Sequence, residues 1–320
     1  MSRAGVPFRA ILAGAMHGVG MARALNGALR TTRGLFQARR ILAEFNPDVV
    51  FLTGGFVGVP VSLAAWLRGT PSVVYLPDIE PGQALRLMAR LATKVATTTE
   101  ASAPFIAPHK MVVTGYPVRD VFASASREEA RRRFGIAPDA RVLLVYGGSK
   151  GARSINRATL AGLARLLDLA VVIHVVGAND WPEVSAARAQ LPDDRRARYL
   201  AFEYLHDEMA LAMAAADLAV CRAGASTLGE LPYLGLPAVL VPYPYAWRYQ
   251  KVNARYLADR GAAVVVQDEL LADERAGLLP RVIELLHAPG RLDAMRCASL
   301  ALGRRDGAER IAALLLEVSR

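Results

Sequence analysis

Within residues 217–253 a carboxylate, Glu230, follows a turn of small residues, Arg222–Ser226, and precedes two carboxamides, Gln250 and Asn253. An apolar run, Leu218–Cys221, leads into the turn. The turn opens a helix that carries Glu230 one turn in and stops near Gly235, and a second apolar run, Ala238–Val241, leads to an aromatic, proline-rich loop. Strand, glycine turn and helix start form a seat for phosphate, because unpaired backbone N–H groups and the helix dipole face the anion. A carboxylate one turn along that helix reaches a sugar diol beside the phosphates. The stretch reads as a nucleotide site, nucleotide sugars included.

A second turn of the same kind follows the run Val142–Tyr146. There Gly147 and Gly148 precede Ser149, whose hydroxyl suits a phosphate, and Lys150 or Arg153 supplies a charge. Alone, such a turn is as readily a packing device. Its recurrence at 222–227 is harder to explain by packing. In the loop 75–82, two carboxylates, Asp78 and Glu80, lie just beyond a strand's carboxyl end, the edge where open α/β sheets bind ligands. His206 has no His or Cys at ligand spacing, so no metal site is expected.

Positioning these groups requires parallel βα units. Apolar runs alternating with longer periodic segments predict strands at Val6–Leu12, within 47–56, and at Ser72–Leu76, Lys94–Thr98, Met111–Thr114, Val142–Tyr146, Ala170–Val175, Tyr199–Phe202, Leu218–Cys221, Ala238–Val241 and Ala262–Val266. A chain of 320 residues, 53% hydrophobic, accommodates two domains. The charged stretch 127–133 marks the bridge between them, giving domains 1–136 and 137–320, with the last helix packing back on the first. Two cysteines are too few for a disulfide framework. No apolar run reaches the roughly 18 residues of a membrane span, and no signal peptide is expected.

The formal charge is +10, and seven arginines precede Glu44, the first acidic residue. Between Met21 and Phe45 they interleave with apolar residues at helical spacing. Arg30 and Arg33 therefore belong either to a basic amphipathic helix on an anionic membrane surface or to a packed helix with a solvated face. Nucleic acid is the weaker expectation, since aromatics do not interleave with the basic residues.

The motifs Gly147–Asn156, Cys221–Glu230, Gly235–Tyr245 and Thr114–Arg119, with Thr53–Pro60 and Ala64–Trp66, together resemble the peptidoglycan N-acetylglucosaminyltransferases of glycosyltransferase family 28. The resemblance implies a GT-B fold: two Rossmann-like domains with parallel sheets facing a cleft, the N-terminal one incomplete. It implies transfer of N-acetylglucosamine from UDP-N-acetylglucosamine to undecaprenyl-diphospho-muramoylpentapeptide, without a cofactor or metal, at the cytoplasmic face of the plasma membrane. Position by position it implies donor contacts from Arg119, Ser149, Leu205 (backbone, to uracil), Ala225, Ser226, Thr227, Leu228, Gly229, Glu230 (to ribose) and Gln250. Trp66, Arg30 and Arg33 fall on the membrane or acceptor side.

The departures are also specific. Family members begin with a strand and a GlyGlyThrGlyGlyHis-like loop that nothing here matches, and His17 is no substitute. The first two βα units are expected to be missing, through a true start further upstream, a partner supplying them in trans, or degeneration. A family HisGluGlnAsn segment is replaced by Tyr75, Leu76, Pro77 and Asp78, which makes Asp78 the candidate base. A UDP-sugar-binding subunit without catalysis, and a glycolipid glycosyltransferase of the same family, remain open beside the active enzyme.

Overall fold

The computed structural model describes residues 5–14, 21–148, 150–245 and 249–320. The chain forms two compact units, Met1–Gly115 with Asp306–Arg320, and Tyr116–Arg305.

In the first unit, α1 (Met21–Phe45) is followed by β1 (Val50–Leu52), α2 (Gly58–Arg68), β2 (Ser72–Leu76), α3 (Gln83–Leu91), β3 (Lys94–Thr97) and β4 (Met111–Val113). The strands form a parallel sheet in the order β1-β2-β3-β4. All five residues of β2 are buried, as expected of an inner strand with both faces covered. Arg310 of the C-terminal helix, Gly307–Val318, donates to the Val113 carbonyl at 3.0 Å, which ties that helix to this unit.

Helix α1 has two distinct faces. Gly27, Gly34, Ala38 and Leu42 are buried, and Ala38 and Leu42 join the core that includes Ala64 and Ala65 of α2. Arg30, Arg33 and Phe36 are exposed. The run Val6–Leu12, expected as a strand, makes no ladder. It lies extended against α1, where the Leu12 amide donates to Gln37 Oε1 at 2.8 Å. A Cβ on Gly34 would stand 1.8 Å from the Leu12 carbonyl oxygen, so glycine there permits the close approach.

In the second unit, α4 (Arg127–Arg133), β5 (Val142–Tyr146), α5 (Arg153–Ala161), α6 (Leu163–Leu169), β6 (Val171–Val175), α7 (Trp181–Ala189), α8 (Asp193–Arg198), β7 (Tyr199–Phe202), α9 (Glu208–Ala215), β8 (Leu218–Cys221), α10 (Thr227–Leu234), β9 (Ala238–Leu240), α11 (Tyr249–Asp259), β10 (Ala263–Val265), α12 (Leu278–Leu286) and α13 (Pro289–Leu302) follow in order. Its parallel sheet runs β10-β9-β8-β5-β6-β7. Leu143, Val145, Val172, Val220 and Val239 fill the core beneath α5, α6 and α12. The charged helix α4, expected to bridge the domains, belongs to this unit. Arg131 is only 4% exposed and pairs with Asp217 at 3.1 Å, while Arg127 pairs with the same carboxylate and the Val142 amide donates to it at 2.8 Å. The division of the chain accordingly falls at Gly115–Tyr116 rather than at 136–137.

Candidate functional site

Strand β5 begins the second unit's sheet, and the chain then adds β6 and β7 on one side before returning to β8, β9 and β10 on the other. The switch point lies between β5 and β8, whose last residues, Tyr146 and Cys221, are paired in register. Crevices at the carboxyl ends of such strands bind ligands. Both glycine turns singled out in the sequence emerge here, side by side.

The first turn is held tightly. Gly148 and Gly151 have φ of 83° and 78°, and a Cβ on Gly151 would stand 2.2 Å from the Val176 carbonyl oxygen. Helix α5 then starts from Ala152, which offers no side-chain cap, so its first amides are left for solvent or a ligand. Ser149 lies outside the described residues.

The second turn differs from expectation in one respect. The amides of Thr227, Leu228 and Gly229 are not open: they donate to the carbonyls of Gly224, Ala225 and Ser226 at 3.0–3.1 Å, in a tight 3-10 start to α10. Among the described residues, no acceptor takes the Ala225 or Ser226 amide. Among the described residues, the open donors of this turn are therefore one or two residues earlier than the helix start.

Two cavities meet over these turns. The larger, about 1210 Å³, is lined by both turns, Arg222, Tyr243 and Gln250. The smaller, about 330 Å³, gathers Arg119, Leu205, Ser226 and Glu230. Tyr146, Gly148 and Ser226 border both. Five sequence-predicted donor residues thus converge, with Thr227 on the larger cavity. Ala225 completes the turn, whereas Leu228 and Gly229 are buried beneath it. Gly229 is needed there, because a Cβ would stand 2.4 Å from the Tyr116 Cβ. That contact sets the 115–119 turn against α10, and so brings Arg119 toward Glu230.

Burial pushes the Glu230 carboxyl above its usual range, opposed by a hydrogen bond from Ser226 and by the charge of Arg119. Arg119 itself pairs loosely with Asp207 at 3.4 Å and lies over the Phe122 ring. Gln250 Oε1 accepts from the Tyr243 amide at 2.8 Å, which fixes the aromatic loop at the mouth of the larger cavity.

Two networks were not foreseen from sequence. Arg222 pairs with Asp268 at 2.5 Å and donates to Ser154 Oγ at 2.8 Å, and Ser154 donates to Asp268 at 2.7 Å. This triad ties the end of β8 to the start of α5. Deeper, Asn156 gives both amide hydrogens away, to the Val176 carbonyl at 3.0 Å and Asp180 at 2.8 Å. Its Oδ1 must therefore accept from His174 Nε2–H at 3.0 Å, leaving Nδ1 to accept from the Tyr199 hydroxyl at 2.7 Å. Burial lowers the His174 pKa to about 4, in keeping with this neutral tautomer. Asp180, so anchored, holds Arg153 at 2.9 Å on the cavity wall.

In the first unit, Asp78 is half-buried in the loop leaving β2, and the neighbouring Glu80 is buried and paired with Arg86 at 3.0 Å. Trp66 on α2 is 56% exposed, and Arg30 and Arg33 are exposed as well. Among the described residues no cluster of three His, Cys, Asp or Glu could hold a metal, and no helix is long and apolar enough to cross a membrane.

Paired glycine turns at a switch point, with a half-buried carboxylate beside them, define a nucleotide-binding α/β unit. Residues 142–311 match the glycosyltransferase family 28 C-terminal domain, and residues 1–97 match the N-terminal domain of the same family. The chain belongs to glycosyltransferase family 28. A Roseiflexus sp. (strain RS-1) relative, named UDP-N-acetylglucosamine--N-acetylmuramyl-(pentapeptide) pyrophosphoryl-undecaprenol N-acetylglucosamine transferase, is 42% identical across 97% of this chain and 78% of its own. A Desulforudis audaxviator protein of the same name is 40% identical across 94% and 82%. The crystal structure of Acinetobacter baumannii MurG superposes with a TM-score of 0.75 at 24% identity, over 99% of this chain and 86% of that one, and establishes the two-domain GT-B fold.

Proposed function

We propose that this chain transfers N-acetylglucosamine from UDP-N-acetylglucosamine to undecaprenyl-diphospho-muramoylpentapeptide, the lipid-linked muramoyl acceptor of peptidoglycan synthesis. The observation that carries the reading is the convergence of Arg119, Leu205, Ser226 and Glu230 on one cavity that joins a larger one over the two glycine turns. The smaller cavity suits the nucleoside. Leu205 offers backbone to the base, and Glu230 accepts hydrogen bonds from the ribose hydroxyls. The diphosphate lies on the turns at 147–151 and 222–227, where Ala225 and Ser226 present amides. The larger cavity, bounded by Gln250 and Tyr243, suits the sugar.

In this arrangement the acceptor hydroxyl attacks the anomeric carbon from the face opposite the diphosphate. The bond from that carbon to the diphosphate oxygen breaks, its electron pair stays on UDP, and the hydroxyl proton passes to a base. Backbone dipoles at the two turns and the Arg119 guanidinium stabilise the departing charge. Asp78 is the proposed base, because it lies just past the carboxyl end of the inner strand β2, half-buried in the loop that leaves it. Asp78→Asn is expected to abolish transfer while leaving UDP affinity intact. Normal turnover in that variant would remove Asp78 from the mechanism.

The acceptor's lipid places the reaction at a membrane, at the cytoplasmic face where nucleotide sugars are available. The exposed face of α1 supports a peripheral association: Leu29 and Phe36, 61% and 66% exposed, stand two turns apart beside Arg30 and Arg33. Exposed Trp66 adds an aromatic of the kind that sits at headgroup level. The deciding assay is transfer of labelled N-acetylglucosamine to a soluble analogue of the lipid acceptor by this chain alone, with UDP binding followed in parallel. Binding without transfer would favour a donor-binding subunit, and absence of both would overturn the reading.

A further inference from the structure

We propose that Lys150 is a diphosphate-binding residue, whose ammonium group takes up charge as UDP departs. The inference rests on the donor-site reading above and adds to it a side chain in the first glycine turn.

Lys150 lies between Gly148 and Gly151, both at positive φ, a backbone conformation glycine adopts without strain. It is exposed and, with Gly147, Gly148 and Gly151 of its own turn and Gly224 and Ser226 of the other, lines the larger cavity. A phosphate group seated on the two turns would therefore lie beside it.

The charges around the cavity single it out. Arg153 is held by Asp180 at 2.9 Å and Arg222 by Asp268 at 2.5 Å. Each of these guanidiniums is already neutralised and pinned. Lys150 has no carboxylate partner among the described residues. Arg157 is similar in that respect, but it sits one turn further along α5, away from the glycine turn. The uncompensated positive charge nearest the turn is thus that of Lys150. An ammonium on a flexible stem can follow a phosphate oxygen whose charge grows during reaction, which a guanidinium locked to a carboxylate cannot.

Breaking the bond between the anomeric carbon and the diphosphate leaves an extra electron pair, and so an extra negative charge, on the β-phosphate oxygen. Lys150 takes no part in the proton transfer: the acceptor's proton goes to the base. Its attraction should therefore be stronger for UDP than for the intact donor, and absent for uridine, which carries no phosphate.

Calorimetric titration of the full chain and its Lys150→Gln and Lys150→Arg variants with uridine, UDP-N-acetylglucosamine and UDP tests this. A charge-assisted contact of ordinary strength predicts about a tenfold to hundredfold loss of UDP affinity in Lys150→Gln. The donor should lose less, uridine nothing, and Lys150→Arg should retain most of the UDP affinity. Unchanged UDP affinity in Lys150→Gln, or a parallel fall for uridine, would overturn the role of Lys150. If the unaltered chain bound no UDP, the donor-site reading itself would fall, and this role with it.

Discussion

Replacing Glu230 by glutamine keeps the shape of the side chain and removes its charge, so it separates what the carboxylate does for a ligand from what it does to the fold. In the folded chain, burial raises the Glu230 pKa, and Ser226 and Arg119 only partly oppose the shift. A carboxyl whose folded pKa lies above its unfolded value binds protons more readily when folded. Stability from this group is thus greatest below the unfolded pKa and declines as pH rises through the folded one. At neutral pH the ionised carboxylate is a burden, and Glu230→Gln should melt at a higher temperature than the unaltered protein. Ligand binding should move the other way. A carboxylate accepting hydrogen bonds from a ribose contributes roughly 1.5–3 kcal/mol, and losing it corresponds to about a tenfold to hundredfold weaker association. Titration with uridine isolates the contact from the phosphates, and a thermal melt without ligand reads the stability. Uridine affinity should also fall as pH drops through the raised pKa, since the protonated acid is a poorer acceptor. Equal uridine affinity in the two proteins would refute the ribose assignment, and a lower melting temperature would refute the electrostatic argument.

Gly229→Ala should destabilise the second unit by about 1–3 kcal/mol, because its Cβ would overlap Tyr116 where the backbone has no room to yield; a thermal melt checks this, and no loss would mean the 115–119 turn is not packed as described. His174, whose pKa falls from 6.5 to about 4 on folding, should make the protein less stable as pH drops from 6.5 toward 4, by up to about 3 kcal/mol in total. Denaturant unfolding across that range should show the slope, and His174→Phe should flatten it. Reversing Arg30 and Arg33 to glutamate should weaken binding to anionic vesicles by at least about 1 kcal/mol per position, with a smaller salt dependence; flotation that stays the same would assign the exposed face of α1 to solvent alone.

The core of the proposed donor site was legible as a juxtaposition of elements because its signals are local. β8, the turn at 222–226 and α10 with Glu230 lie within one contiguous stretch, and fully buried parallel strands read as unbroken apolar runs whatever surrounds them. What escaped depends on partners distant in sequence. Val6–Leu12 has the composition of a strand, yet only the folded chain reveals that its backbone meets α1 instead of a neighbouring strand. The arginines of α4 read as the bridge between domains, but Asp217, 86 and 90 residues away in chain, ties Arg131 and Arg127 to the second unit. Arg222, Ser154 and Asp268 are joined over separations of 46, 68 and 114 residues, and no local pattern announces such a triad. The bonding of the Thr227–Gly229 amides was hidden for the opposite reason: it is too fine a matter of turn geometry for residue types to specify.

The residues beneath the donor seat carry a consistent signature of function held against stability. Burial pushes the Cys221 thiol up to about 12, and the Tyr146 phenol well above its usual range, so both are neutral beneath the turns. Glu230 is the acidic group set next to them, and neither neighbour offers it a positive charge. Among the described residues the positive charge that acts on it is that of Arg119, from the turn that Gly229 admits, whose own contact with Asp207 at 3.4 Å is loose and exposed. A purely structural site would have replaced the carboxylate or given it a close cation, as Glu80 has in Arg86 at 3.0 Å and Asp180 in Arg153 at 2.9 Å. The half-compensated carboxylate at the switch point is instead what a site looks like when its missing hydrogen-bond donors arrive with the ligand. Saturating UDP should accordingly raise the melting temperature of the unaltered protein more than that of Glu230→Gln, and equal shifts would leave the carboxylate without a role in binding.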